Sequence, residues 1–344
     1  MDIVHDRAVG MDISKRDAKV CVRGPGPVHG QFISTVTTWL AHLAAYGLLR
    51  ASFVPPPLIR ELRDLTRARA IVVRDRTREV HRLEKSLESS GIKLSGIVTH
   101  LTGMSSRAML DALVAGERDP NVLAALARGK LKPKIPELVE ALTGRFGEHH
   151  TLLTRLYLKQ IDVHTAMVEE LTAKIEESMK PFRVARELLV TIPGVLTLVA
   201  DVIIAETGGN MDVFQTAGHL ASWAGVCPGS NESAGRVKSS KTLPGNKYLK
   251  AALGTAALVA SRSKNTYLSV KCRRIAARRG PMKAIVALEH SILTAVWNML
   301  ANGESYEDPG ADHFTKLDPL KAKNRALRQL QNRGYEVVIT QIAA

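Results

Sequence analysis

The 344-residue sequence holds only three cysteines, Cys21, Cys227 and Cys272. Their odd number and wide spacing exclude a disulfide framework and a CxxC zinc site, and suit reduced thiols. Long apolar runs are also missing. The nearest approach, around residues 285–300, is interrupted by Glu289, His290 and Asn298, so no bilayer span is expected. The opening Met1-Asp2 quickly meets further charge, unlike a secretory leader, and the expected compartment is the cytoplasm. His149-His150 has no Cys or acidic companion pattern and reads as surface rather than metal site. Acid is scarce beside base: 33 Asp and Glu stand against 48 Lys and Arg, a net charge of +15. Such an excess either keeps a solvated surface soluble or serves a polyanionic partner, and the clustering of the cations favours nucleic acid. The length and a 45% hydrophobic share suffice for a buried core and two or three domains.

The chain begins in strand texture. Val9-Gly10-Met11-Asp12-Ile13 is short and largely apolar, Ser14-Lys15-Arg16-Asp17 is turn-like, and Ala18-Lys19-Val20-Cys21-Val22 alternates with period two. After Gly24-Pro25-Gly26-Pro27, a third strand over 31–36 completes an expected antiparallel meander. Residues 39–49 read as a helix, and Val54-Pro55-Pro56-Pro57 as a stiff hinge. From 58 to 87 there is no Gly or Pro, and Leu58, Leu62, Leu65, Val72, Val80, Leu83 and Leu87 recur mostly at three- and four-residue steps, predicting a long amphipathic helix. Its many arginines, among them Arg60, Arg63, Arg67, Arg69, Arg74, Arg76, Arg78 and Arg82, either pair with acids on a solvated face or meet phosphate. A second long helix is expected from about 150 to 179, carried by Leu153, Leu156, Val163, Leu171 and Ile175, and the two invite antiparallel, coiled-coil-like pairing. Further on, Ile192-Pro193-Gly194 turns between two apolar helices in the manner of a helix–hairpin–helix, whose turn amides can hold a phosphate.

Asp12 is an acid amid apolar neighbours in the first strand, the way ribonuclease-H-like nucleases present a carboxylate to Mg²⁺. The alternative is a surface Asp on an edge strand. Metal-assisted phosphodiester chemistry needs several carboxylates, and no later strand with an acid at its end is legible before the last third. The most chemical segment runs from Gly225 to Lys241. Small residues let a phosphate approach the backbone, and Arg236, Lys238 and Lys241 can neutralise it. One of its serines could be a nucleophile if activated. From spacing alone, a flexible basic loop that merely contacts DNA is the stronger alternative. Lys247, Lys271, Arg273, Arg274, Arg278 and Arg279 continue the basic tract and are assigned to nucleic-acid backbone contact.

Taken together, four segments resemble insertion-sequence transposases of the IS-one-ten type, recombinases guided by a bridge RNA. They are Val9-Gly10-Met11-Asp12-Ile13-Ser14-Lys15; Arg50 to Pro57 with Ile59 to Arg67; Ile192-Pro193-Gly194 through Trp223-Ala224-Gly225; and Pro228-Gly229-Ser230-Asn231-Glu232-Ser233-Ala234-Gly235 onward to Arg278-Arg279-Gly280. The resemblance implies an α+β, mainly α chain. Residues 1–57 would be a remnant of a RuvC-like domain, 58–180 a long-helix linker region, and 181–344 a mostly helical serine transposase domain. It implies that Asp12 is the first of an Asp-Glu-Asp-Asp set that binds Mg²⁺, and that Ser233 is the serine that links covalently to DNA.

One departure from the family pattern stands out. Thr35-Val36-Thr37-Thr38 runs straight into Trp39-Leu40-Ala41-His42-Leu43, where the family usually carries several dozen further residues with the other three acids. An internal deletion is expected to leave the Mg²⁺ site incomplete. The expected function is DNA strand cleavage and rejoining with RNA-guided target choice, and the rival is a catalytically defective DNA- or RNA-binding remnant. Expected partners are DNA, a guide RNA and further copies of the chain.

Overall fold

Three consecutive prolines, Pro55-Pro56-Pro57, stand where the chain divides. A computed structural model describes residues 8–13, 18–23, 46, 55–229 and 231–338, in one unit up to Pro55 and a second from Pro56. In the first, strand β1 (Ala8–Ile13) pairs antiparallel with β2 (Ala18–Arg23), Asp12 opposite Lys19 and Met11 opposite Val20. The expected third strand and the helix over 39–49 lie outside the described residues.

The second unit opens with the 33-residue helix α1 (Pro57–Ser89), which has Pro57 at its first position, where a missing N–H costs nothing. Short helices α2 (Met104–Ala115), α3 (Pro120–Ala125) and α4 (Ile135–Leu142) follow, then the 31-residue α5 (Glu148–Ser178). Helices α1 and α5 pack together in opposite directions. Ile59 and Leu62 at the start of α1 share a core with Ile175 and Met179 at the end of α5. Leu83 and Leu87 at the other end share a second core with Leu158 and Ile161, closed over by Met109, Leu110, Leu123 and Leu138. Between Thr66 and Leu83 no residue of α1 is fully buried, and Arg69 bridges to the Thr172 hydroxyl instead.

The face that α5 buries differs from the expected stripe. Leu158, Ile161, Val168 and Ile175 are buried, whereas Leu153, Leu156 and Val163 are exposed. Apolar residues occupy two sides of this helix, so the partner rather than the period selects the buried one. His150 is likewise not surface. It is buried at the start of α5, where its Nδ1 accepts from the Gly147 N–H at 3.3 Å, and burial lowers its pKa.

Of the remaining helices the first six surround the first core, and the last two contribute no described residue to it. They are α6 (Arg183–Val190), α7 (Thr197–Thr207), α8 (Ala217–Ala224), α9 (Lys247–Arg262), α10 (Tyr267–Arg279), α11 (Pro281–Asn302), α12 (His313–Leu317) and α13 (Pro319–Gln331). A two-stranded hairpin, β3 (Asn231–Ser233) and β4 (Arg236–Ser239), lies between α8 and α9. Helix α7 is buried on nearly every side, from Val199 to Thr207, and so shows little amphipathic contrast. Its buried Asp201 and Glu206 therefore need charged partners. Arg186 lies 2.7 Å from Asp201, and Arg67 lies 2.7 Å from Glu206. Helix α11 is the one helix among the described residues long and apolar enough to cross a bilayer. It buries Ala284, Leu288, Ile292, Leu293 and Val296 in this core, as an internal helix does.

The expected Pro-Gly turn is present between α6 and α7, but it is packed rather than open. A Cβ on Gly194 would lie 2.3 Å from the Ala256 carbonyl oxygen, and Gly194 has a φ of +91°. The glycine is explained by the close approach of the turn to α9.

Candidate nucleic-acid interface

The segment from Gly225 to Gly245 is cinched at its base. Gly225 closes α8 with a φ of +74°, and a Cβ there would meet the Gly245 Cα at 2.8 Å. A Cβ on Gly245 would lie 2.1 Å from the Ala224 carbonyl oxygen. One step further out, the Gly229 N–H donates to the Lys241 carbonyl at 3.1 Å, and Pro228 bridges to Thr242. Only residues without side chains permit these approaches. At the tip, β3 and β4 pair with Ser233 opposite Arg236, across a two-residue turn in which Ala234 and Gly235 have φ of 51° and 72°. Both central residues at positive φ match the tight turn that suits the twist of paired strands. The sequence reading saw a loop here and missed the hairpin, because Ala is an unusual occupant of a left-handed position.

The exit of the hairpin is pinned. The Lys250 ammonium donates to the Thr242 hydroxyl at 3.4 Å and to the Leu243 carbonyl at 3.3 Å. Asn246 caps α9 by accepting from the Tyr248 and Leu249 amides, and its own amide donates to Glu206. Glu206 is wholly enclosed and also receives Arg67 of α1 through two hydrogen bonds. The buried carboxylate therefore joins the base of the hairpin segment to the long helical pair.

The nine cations assigned from sequence fall in this unit. Arg236, Lys238, Lys241, Lys247, Arg273, Arg274, Arg278 and Arg279 are exposed, and Lys271 is half-buried. Among the described residues none of the nine is in an ion pair. Arg274 lies over the Phe314 ring and Lys271 donates to the Ser291 hydroxyl at 2.7 Å. The arginines of α1 behave differently. Arg63 and Arg67 serve Glu206, Arg78 and Arg82 pair with acids of their own helix, and Arg69 is bound to Thr172. The pairing alternative therefore holds for four of the eight arginines named on α1, whereas none of the nine cations from β4 to α10 has an acidic partner among the described residues.

A cavity of about 890 Å³ opens between the exit of β4 and helices α10 and α11. Lys241, Lys271, Arg279, Lys283 and His290 are among its walls. His290 escaped the sequence reading as a contact residue, because it takes its place only when α11 folds back against α10. Burial, with Lys271 beside it, lowers the pKa of His290.

Asp12 lies in β1 opposite Lys19 and is the one carboxylate in the described part of its unit. No group of three metal-ligating side chains occurs among the described residues. Mg²⁺ catalysis requires several carboxylates, of which the described residues of this unit hold Asp12 alone.

A helical unit that presents unneutralised cations around a glycine-cinched hairpin has the character of a DNA-handling domain. Residues 186–270 match the model of the Transposase IS116/IS110/IS902 family, so this segment is a transposase domain of that family. The chain is 27% identical to the 42 kDa protein of insertion element IS900 from Mycobacterium paratuberculosis, over 72% of this chain and 65% of that protein. It is 26% identical to the y4pF/y4sB protein of Sinorhizobium fredii, named as a transposase, over 58% of this chain and 49% of that one. The chain thus spans less than two thirds of the length of either relative.

Proposed function

We propose that the chain acts in insertion-sequence transposition, binding DNA through the face from β4 to α11 and cleaving and rejoining it through Ser233. The observation that carries this reading is the set of cations without acidic partners that flanks the hairpin, within and beside a transposase domain. In the reaction, the Ser233 oxygen forms a bond to phosphorus while a bridging P–O bond breaks. The serine proton passes to the departing oxygen, and reversal with a different DNA end rejoins the strand. Arg236, directly opposite Ser233 in the hairpin register, is the nearest cation in sequence to stabilise the developing charge. Target choice would rest on a guide RNA, and assembly on further copies of the chain. Any Mg²⁺-dependent step would need carboxylates beyond Asp12.

The direct run of Thr38 into Trp39, where the family usually carries the other three acids, favours a second reading, a DNA-binding remnant that holds its site without cutting. The two separate on one experiment. Full-length protein is incubated with labelled donor DNA and run on a denaturing gel. A protein–DNA adduct that survives denaturation and vanishes in Ser233→Ala supports cleavage. Salt-sensitive binding without any adduct establishes the remnant.

A further inference from the structure

The cavity between the β4 exit and helices α10 and α11 differs in kind from the rest of the basic face. Lys241, Arg279 and Lys283 in its lining are exposed, and among the described residues no Asp or Glu lines it. Its wall also includes the half-buried apolar residues Ile275, Val286 and Ala287. At about 890 Å³ it lies in the range of small-ligand sites, roughly 300–1,000 Å³. A continuous duplex gives such a wall nothing to bind, because the faces of its bases are stacked on one another. An unstacked base has an apolar face to bury and a phosphate attached to it, the combination this cavity offers.

We propose that this cavity receives a single unpaired nucleotide, its phosphate held by Lys241, Arg279 and Lys283 and its base laid against Ile275, Val286 and Ala287. The proposal rests on the reading that this face meets nucleic acid, and adds the form of nucleic acid it selects. His290, a further wall of the cavity, offers an imidazole that burial and Lys271 keep neutral, able to donate to or accept from a base edge. Lys271 and Ser291, hydrogen-bonded to each other, stand beside it.

The test uses the full chain and fluorescein-labelled hairpin oligonucleotides. One is fully paired and one carries a single unpaired thymidine, with ribonucleotide counterparts carrying an unpaired uridine. The expected result is tighter binding of the interrupted hairpin by about fivefold or more, the scale of burying one base. The arm with the larger preference, deoxy or ribo, identifies the source of the nucleotide. In Val286→Trp, which sets an indole on the apolar wall where the base would lie, the ratio of the two affinities falls to about one. Because that variant can fail to fold, Lys283→Glu at an exposed position of the lining provides a second reading, and it lowers the same ratio. A 4-thiothymidine at the unpaired position is expected to crosslink within residues 275–291. Equal affinity for the two wild-type hairpins, or a preference that both variants keep, overturns the proposal while leaving DNA binding by this face intact. Loss of binding to every hairpin would instead sink the reading on which it rests.

Discussion

Arg67 on α1 donates from both Nε and a terminal nitrogen to the enclosed carboxylate of Glu206 on α7, each at 2.7 Å. Arg63 adds a contact at 3.5 Å and binds the Ala205 and Glu206 carbonyls. With the Asn246 amide also on Glu206, the carboxylate is held both from α1 and from the start of α9.

Removing the carboxylate leaves the half-buried Arg63 and Arg67 without a counter-charge. Glu206→Ala is expected to destabilise the helical unit by about 3–5 kcal/mol, the usual size for breaking a buried ion pair. Arg67→Ala is expected to cost less, because Arg63 and Asn246 still serve the acid. Urea unfolding of the two variants checks the order.

The free cations predict a salt signature. Each of Arg236, Lys238 and Arg279, changed singly to Ala, should weaken binding to DNA of any sequence. Each should also reduce the slope of log affinity against log salt by about 1. Arg78→Ala, whose cation is already paired with Asp75, should leave that slope unchanged. Fluorescence anisotropy between 50 and 200 mM salt measures it.

Glu289 is buried on α11 with Lys250 as its nearest named cation, and burial raises its pKa above the ordinary carboxylate value. An acid whose folded pKa is raised favours the fold while protonated, and that advantage is lost as pH rises through the folded value. Glu289→Gln should therefore stabilise the protein at pH 7 and confer no gain below about pH 4, where the acid is already protonated. Thermal melts across that range decide the sign.

The turn glycine makes a steric prediction. Gly194→Ala places a methyl 2.3 Å from the Ala256 carbonyl oxygen at a φ of +91°. It should cost about 2 kcal/mol or more. Gly235→Ala, at the hairpin tip with nothing within 4 Å, should cost less, from its φ of +72° alone.

Much of this was legible in the amino acids. The two long helices announced themselves because no Gly or Pro interrupts them. The nine cations were picked out by their clustering in sequence, and eight of them are exposed. What escaped depended on partners. The apolar residues of α5 sit on two sides, and only the docking of α1 chooses Leu158 and Ile161 over Leu153 and Leu156. His150 looked solvated because a buried histidine and an exposed one have the same neighbours in sequence. The cavity needs α11 to lie back along α10, a relation between Lys283 and Lys241 that no spacing encodes.

The middle of the helical pair, where α1 buries nothing fully between Thr66 and Leu83, fixes angle as well as distance. An α-helix turns about 100° and rises about 1.5 Å per residue. One extra residue inserted into α1 alone would turn Leu83 and Leu87 more than a quarter revolution away from Leu158 and Ile161 on the uninterrupted α5. The reach of the arm is therefore written in two helices at once, and only matched insertions could lengthen it.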